Sequence, residues 1–239
     1  MQAAGAATAR VPGSVFHPDI RDLPSGYTGL PRQLVEASQR QRLLHGTVVA
    51  VAEKGYGPAT IADIAKQAGV SKKTFYEYFA DKQASFLAAY EHGRDAMLHA
   101  TRTGSLSALD AGASAVEQLR VSTGAYLEFL IAEEFYARVF FLETLSAGPQ
   151  AVAAQRECRA DFTHALHAWH NRARSQHPDW PAVSDLTYEA ATGAVHEITL
   201  ERVALRRTDE LLGLGDELVT IQLALLRVPE DQRTPKPRG

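Results

Sequence analysis

The chain is predicted to be all-α, with a short N-terminal three-helix unit followed by a larger helical body. Three observations carry this. Apolar residues recur at helical spacing through the long segments, no window shows the two-residue alternation of a half-buried strand, and Gly and Pro mostly separate the periodic segments.

Residues 1–31 are rich in Ala, Gly, Pro and Ser and carry repeated turn signals, so they are expected to form a flexible arm. Pro31 suits a first helical position, and the stretch after it is helical to a stop at Gly55, with Leu44, Val48, Val51 and Ala52 on one stripe. Gly46 inside that helix costs about 1 kcal/mol relative to Ala. Thr60 followed by Asp63 is capping-box spacing for a second helix that ends at Gly69, and Ser71 caps a third. Asp81 caps the next. Further helices are expected over 82–103, 114–131, 133–146, 150–177, 184–207 and 216–227, divided by Gly104, Gly112, Gly148-Pro149, the Pro178 to Pro181 turn and the Gly213/Gly215 pair. The expected organisation is therefore an arm (1–31), a three-helix head (32–81), a helical body (82–228) and a disordered polar tail (229–239).

Composition bounds the function. With 239 residues, 45% hydrophobic and 22% charged, the chain has the make-up of a globular protein. Its net charge of −3 is unevenly spread: residues 32–82 hold eight cations and five anions, leaving −6 for the rest. A basic head on an acidic body suits a head that meets phosphates. Cys158 is the only cysteine, which excludes an intrachain disulfide and fits a reducing, cytoplasmic setting. Neither a leader-like N-terminus nor a window of about 18 apolar residues is present, so no membrane partner is expected.

The segment TIADIAKQAGVSKKTFYEYFADK, residues 60–82, is the most informative. Two short helices meet at a glycine turn, and Ser71 places Lys72, Lys73 and Thr74 in the first turn of the second, where free N–H groups and the helix dipole favour phosphate. Phe75 and Phe79, four apart, should face the core. Tyr76 and Tyr78 then project elsewhere, with hydroxyls for phosphates or base edges, and Lys82 is positioned as a backbone clamp. The pattern fits a helix-turn-helix unit aimed at double-stranded DNA and equally an ordinary helical hairpin with an aromatic core pair. The string AGVSKKTFYEYFADK, with AEKGY at 52–56, closely resembles the signature of the TetR family of bacterial transcriptional regulators, over about residues 40–90.

The resemblance implies a homodimer whose two heads enter successive major grooves of a palindromic operator, and whose bodies sense a small-molecule effector. Position by position, it implies that Lys72, Lys73, Thr74 and Tyr76 face the groove while Thr60, Tyr78 and Lys82 grip the backbone, with Ser71 setting the recognition helix. Val51 and Gly46 depart from the family pattern and suggest a softer head. Residues 184–207 and 216–227, the latter with an apolar stripe of Leu218, Ile221, Leu225 and Leu226, would pair across the dimer.

The ligand-binding candidates in the body are Phe129, Tyr136, Phe140, Glu143, Phe162, Leu166, Trp169, Tyr188 and His196; apolar walls with few polar groups suit a lipophilic or aromatic molecule. Asp161, His164, His167 and His170 recur at every third position, but three-residue steps drift about 60° each and cannot bring all four to one metal. No cofactor, metal or catalytic residue is expected, since phosphate loop, nucleophile elbow and zinc-protease motif are all missing. The reading is a ligand-responsive repressor; the alternatives are a DNA-binding regulator without a switch and a helical metal-dependent enzyme.

Overall fold

The computed structural model describes residues 15–16 and 32–233, and all regular structure among them is helical. Its α-helices are α1 (Arg32–Lys54), α2 (Ile61–Ala68), α3 (Lys72–Tyr78), α4 (Lys82–Asp110), α5 (Ala115–Ala132), α6 (Glu134–Arg138), α7 (Pro149–Gln176), α8 (Asp185–Ala204) and α9 (Gly215–Leu225). Helices α1–α3 make the head. In the body, α4 runs beside α5 and reaches back to α1, α5 also meets α9, and α8 packs on both α7 and α9.

One apolar core runs unbroken from head to body. It contains Leu43, Leu44, Val48 and Val51 of α1, Ile64 and Ala68 of α2, Phe75 and Phe79 at α3, and then Phe86, Tyr90, Leu127, Leu130, Tyr136 and Phe140 of the body. A second core at the far end gathers Leu119, Leu166, Trp169, Trp180, Tyr188, Val219 and Leu223. Cys158 is fully buried, and burial pushes its thiol up to about 12, so it is an inert packing group.

Several boundaries differ from expectation. Helix α4 does not stop at Gly104 but continues to Asp110; a Cβ at Gly104 would lie 3.1 Å from Ala125 Cβ and 3.4 Å from the Val121 carbonyl, so this glycine lets α5 approach α4 closely. The single helix expected over 133–146 is instead α6 followed by a π-helical turn at Val139–Glu143. Three successive buried residues, Val139, Phe140 and Phe141, would sweep about 200° on a regular α-helix, and the wider turn narrows that arc. The tail expected to be disordered from 229 begins with a 3-10 turn at Glu230–Gln232, anchored where Trp180 Nε1 donates to Gln232 Oε1 (2.7 Å) and Gln232 Nε2 donates to Asp179 (2.6 Å). The expected α9 stripe divides: Leu218 and Leu226 enter the cores, and Leu225 stays outside. Most of the expected arm, with Arg10 and Arg21, lies outside the described residues.

Gly46 has a different meaning from the one its helix propensity suggests. A Cβ there would sit 2.7 Å from the Ile64 carbonyl and 2.9 Å from the Ala68 nitrogen, both main-chain atoms of α2. The glycine sets the α1–α2 separation, so it tightens the head rather than softening it. Gly46→Ala should therefore destabilise the protein by about 2 kcal/mol, because overpacking against backbone outweighs the roughly 1 kcal/mol gain in helix propensity. Urea denaturation followed by circular dichroism measures this, and a stabilised variant would refute the packing argument.

Candidate nucleic-acid interface and ligand cavity

The interface is built by capping. Thr60 and Asp63 close a reciprocal box: the Asp63 N–H donates to Thr60 Oγ1 (3.2 Å) and the Thr60 N–H donates to Asp63 Oδ2 (3.0 Å). Lys54 Nζ, 2.5 Å from Asp63 Oδ1, heads the hydrogen bonds that hold this exposed carboxyl well below its usual range. Gly69 ends α2 in the left-handed region (φ 64°), and Ser71 Oγ accepts from the Thr74 N–H (3.0 Å) to start α3. Phe75 is fully buried and anchors α3. Lys72, Lys73 and Tyr76 are left exposed on the outer side, Tyr76 by 58%, with Thr74 half-buried beside them.

Two expected backbone-gripping side chains have internal partners. Tyr78 donates its hydroxyl hydrogen to Gln39 Oε1 of α1 (2.9 Å). Lys82 donates to the carbonyls of Tyr56 (2.5 Å), Ala59 (2.9 Å) and Gly57 (3.1 Å), and its ammonium lies 4.3 Å from the centre of the Tyr56 ring. Lys82 thus braces the α1–α2 turn rather than presenting a free ammonium. The Thr60 hydroxyl likewise serves the capping box, donating to Asp63 Oδ2 (2.7 Å).

The same turn is held from the body. Glu143 Oε2 accepts the Tyr56 N–H (2.8 Å), and Arg138 Nε donates to the Ala52 carbonyl (3.4 Å). Glu143, expected in a ligand pocket, is instead a head–body contact.

A cavity of about 620 Å³ lies among α4, α5, α7 and α8. Of the expected lining residues, Phe140, Phe162, Leu166, Trp169 and His196 are on its wall; Phe129, Tyr136, Glu143 and Tyr188 are not. Tyr136 is fully buried behind Phe140 (ring centres 5.8 Å), Phe129 packs on Tyr136 (6.0 Å), and Tyr188 pairs its hydroxyl with His170 Nδ1 (2.8 Å). Sequence reasoning missed Tyr126 and, above all, Arg102, Arg159 and Arg172, which bring cationic charge to a wall that also holds Asp161, His164, Gln222 and several hydroxyl side chains among its apolar groups. None of the three arginines makes an ion pair among the described residues. Their positions, one on α4 and two on α7, give no local pattern that spacing alone would reveal.

The Asp161/His164/His167/His170 series spreads out. Asp161 and His164 reach the cavity, the His167 ring lies tilted against Tyr188 with ring centres 4.6 Å apart, and His170 is buried. Among the described residues no three His, Cys, Asp or Glu side chains are grouped as a metal site, and no helix is long and apolar enough to cross a membrane.

Residues 43–89 match the family described as bacterial regulatory proteins, tetR family. Among curated proteins, the chain is 28% identical over 143 residues to the HTH-type transcriptional activator FasR of Mycolicibacterium smegmatis, covering 60% of this chain and 64% of FasR. It is 37% identical over 73 residues to the HTH-type transcriptional regulator BetI of Pseudomonas aeruginosa, covering 30% of this chain and 37% of BetI. The matched segments thus span less than two thirds of these relatives. Among solved structures, the fold is similar to the fatty acid degradation regulator FadR of Bacillus halodurans (TM-score 0.67, 20% identity, 79% of this chain and 98% of that one). It is equally similar to the transcriptional regulator FadR of Bacillus subtilis, solved in complex with stearoyl-CoA (TM-score 0.67, 18% identity, 77% and 97%).

Burial lowers both His170 and His196 to about 4, with Arg174 and His167 adding to the first effect and Arg159 to the second. An unfolded imidazole titrates near 6.5. Between those values the unfolded chain binds more protons, so this contribution to stability is complete above pH 6.5 and is lost as pH falls toward 4. Urea midpoints at pH 7.5, 6 and 5 should fall in that order. A His170→Gln/His196→Gln variant should show a shallower decline, and an unchanged slope would refute the assignment.

Proposed function

We propose that this chain, whose residues 43–89 match the tetR family of bacterial regulatory proteins, acts as a homodimeric DNA-binding repressor released by an amphiphilic anion. In this reading two heads enter successive major grooves of a palindromic operator, as half-sites one helical turn apart require. The exposed first turn and outer side of α3 carry the contacts: Lys72, Lys73, Thr74 and Tyr76 face the groove. The outward Leu186 of α8 and Leu225 of α9 belong to the faces that would pair in the dimer.

The effector class is argued from the cavity wall. Tyr126, Phe140, Phe162, Leu166 and Trp169 would enclose an apolar body, and Arg102, Arg159 and Arg172 would receive an anionic head. The expectation of a lipophilic or aromatic ligand is thereby extended by a charge. An acyl thioester has this chemistry, and the similar fold of the Bacillus subtilis regulator solved with stearoyl-CoA supports the choice.

The observation that carries the mechanism is that Phe140, on the cavity wall, and Glu143, on the head, share one π-helical turn. Helix α4 makes a second link, bracing the Tyr56–Ala59 carbonyls through Lys82 at one end and lining the cavity with Leu98, Thr101 and Arg102 further along. A ligand that displaces Phe140 or the distal part of α4 shifts the turn that precedes the recognition unit, and so the spacing of the two heads. It can do so only to the extent that it binds one arrangement better than the other.

Fluorescence anisotropy on DNA selected from a random palindromic pool tests both halves. Lys73→Ala/Tyr76→Ala should bind about a hundredfold more weakly and remain dimeric by sedimentation; full affinity would reject this recognition face. Stearoyl-CoA should dissociate the wild-type complex, and Glu143→Ala, which loses one link while keeping the cavity and the α4 route, should need about tenfold more ligand for half-release. Equal release in both would exclude the Glu143 route.

A further inference from the structure

Val15 and Phe16 occupy a built socket at the joint between head and body. The Val15 N–H donates to Oε1 of Glu133 at 2.6 Å, a residue only 7% exposed, and the Val15 carbonyl accepts from Gln41 Nε2 of α1. His92 Nε2 of α4 lies 3.1 Å from both that carbonyl oxygen and the Gln41 amide nitrogen. The Phe16 ring is 2% exposed, stacked at 5.5 Å on Tyr136 and edge-on at 5.3 Å to His92.

Two residues are thus recognised by three elements. Glu133 and Tyr136 come from the α5–α6 corner, His92 from the middle of α4, and Gln41 from the head. Tyr136 in turn packs on Phe140, so Phe16 stands one ring away from the cavity wall while the neighbouring Val15 carbonyl is tied to the head through Gln41.

We infer that Val15–Phe16 is an intramolecular latch, a peptide ligand carried by the chain itself, which couples the body's aromatic core to α1 of the head. Any buried main chain must have its N–H and carbonyl satisfied, and a filler of the body core could take both partners from the body. Here the carbonyl partner is Gln41 of α1, a head residue, and the N–H partner is the buried carboxyl of Glu133 in the body, so one short segment is held by both units. With the latch closed, a displacement of Tyr136 reaches α1 directly, in parallel with the Glu143 link. That regulatory consequence rests on the function proposed above; the coupling itself rests on this geometry.

Hydrogen–deuterium exchange on the full chain tests the coupling without DNA or effector. In Phe16→Ala, amides of α1 around residues 39–45 and of α6 at 134–138 should exchange several-fold faster, while the α8–α9 end keeps its wild-type rates. Acceleration confined to α4 and α6 would overturn the latch, because Phe16 would then only fill the body. Gln41→Leu supplies the test should Phe16→Ala not fold: it keeps the ring seated and cuts the tie, so α1 alone should accelerate, and wild-type α1 rates would overturn the proposal. Stearoyl-CoA added to DNA complexes then reads the consequence. Half-release should need about tenfold more ligand in Gln41→Leu than in wild type, and equal concentrations would overturn the regulatory role. If stearoyl-CoA releases neither protein, the effector assignment fails, and the exchange data alone decide the latch.

Discussion

The head of this protein depends on a turn, residues 55–59, that the body grips from both sides. Lys82 takes three of its carbonyls and Glu143 takes one of its N–H groups. A turn left to itself would satisfy these groups with water and move freely. Here the polar groups that fix the entry into α2 belong to α4 and to the π-helical turn, so the orientation of the recognition unit is set by elements that also wall the cavity. The continuous core from Leu43 to Phe140 makes the same connection in apolar contacts.

What the sequence made legible was local. The capping box at Thr60–Asp63, the Gly69 stop, the Ser71 cap and the Phe75/Phe79 anchor are readable because each depends on residues within four positions of one another. The cavity was only half legible. Phe140, Phe162, Leu166 and Trp169 sit on helix faces that any apolar-residue survey finds, and His196 is an ionisable group on such a face, but Arg102, Arg159 and Arg172 come to line one cavity through the packing of α4 on α7, which no spacing encodes. Glu143 misled for a related reason. An ionisable residue among aromatics does have a purpose, yet its partner, the Tyr56 main chain, lies 87 positions away. Lys82 likewise carries the charge expected of a DNA contact, while its donors are committed to the fold.

The π-helical turn concentrates these dependencies. Phe140 lines the cavity, touches Tyr136 and stacks on Tyr90 (5.4 Å), Phe141 lies 5.0 Å from the His196 ring, and Glu143 reaches the head. Widened turns of this kind often occur at functional positions, because the extra residue re-aims the side chains beyond it. In this chain the insertion lets successive side chains serve a cavity, a core and a main-chain contact in another unit.

Magnitudes show why so few contacts suffice. Moving a two-state equilibrium from 1:99 to 99:1 takes a differential of about 5.5 kcal/mol. Hydrogen bonds to charged groups contribute about 1.5–3 kcal/mol each, and the turn receives four of them, from Lys82 and Glu143. These bonds are coupled through one short backbone and do not add, yet loosening two is already on the scale required. In the proposed mechanism a ligand would not have to dismantle the head; it would have only to favour an arrangement of α4 and the π-helical turn in which the carbonyls and the N–H of residues 55–59 are no longer satisfied together.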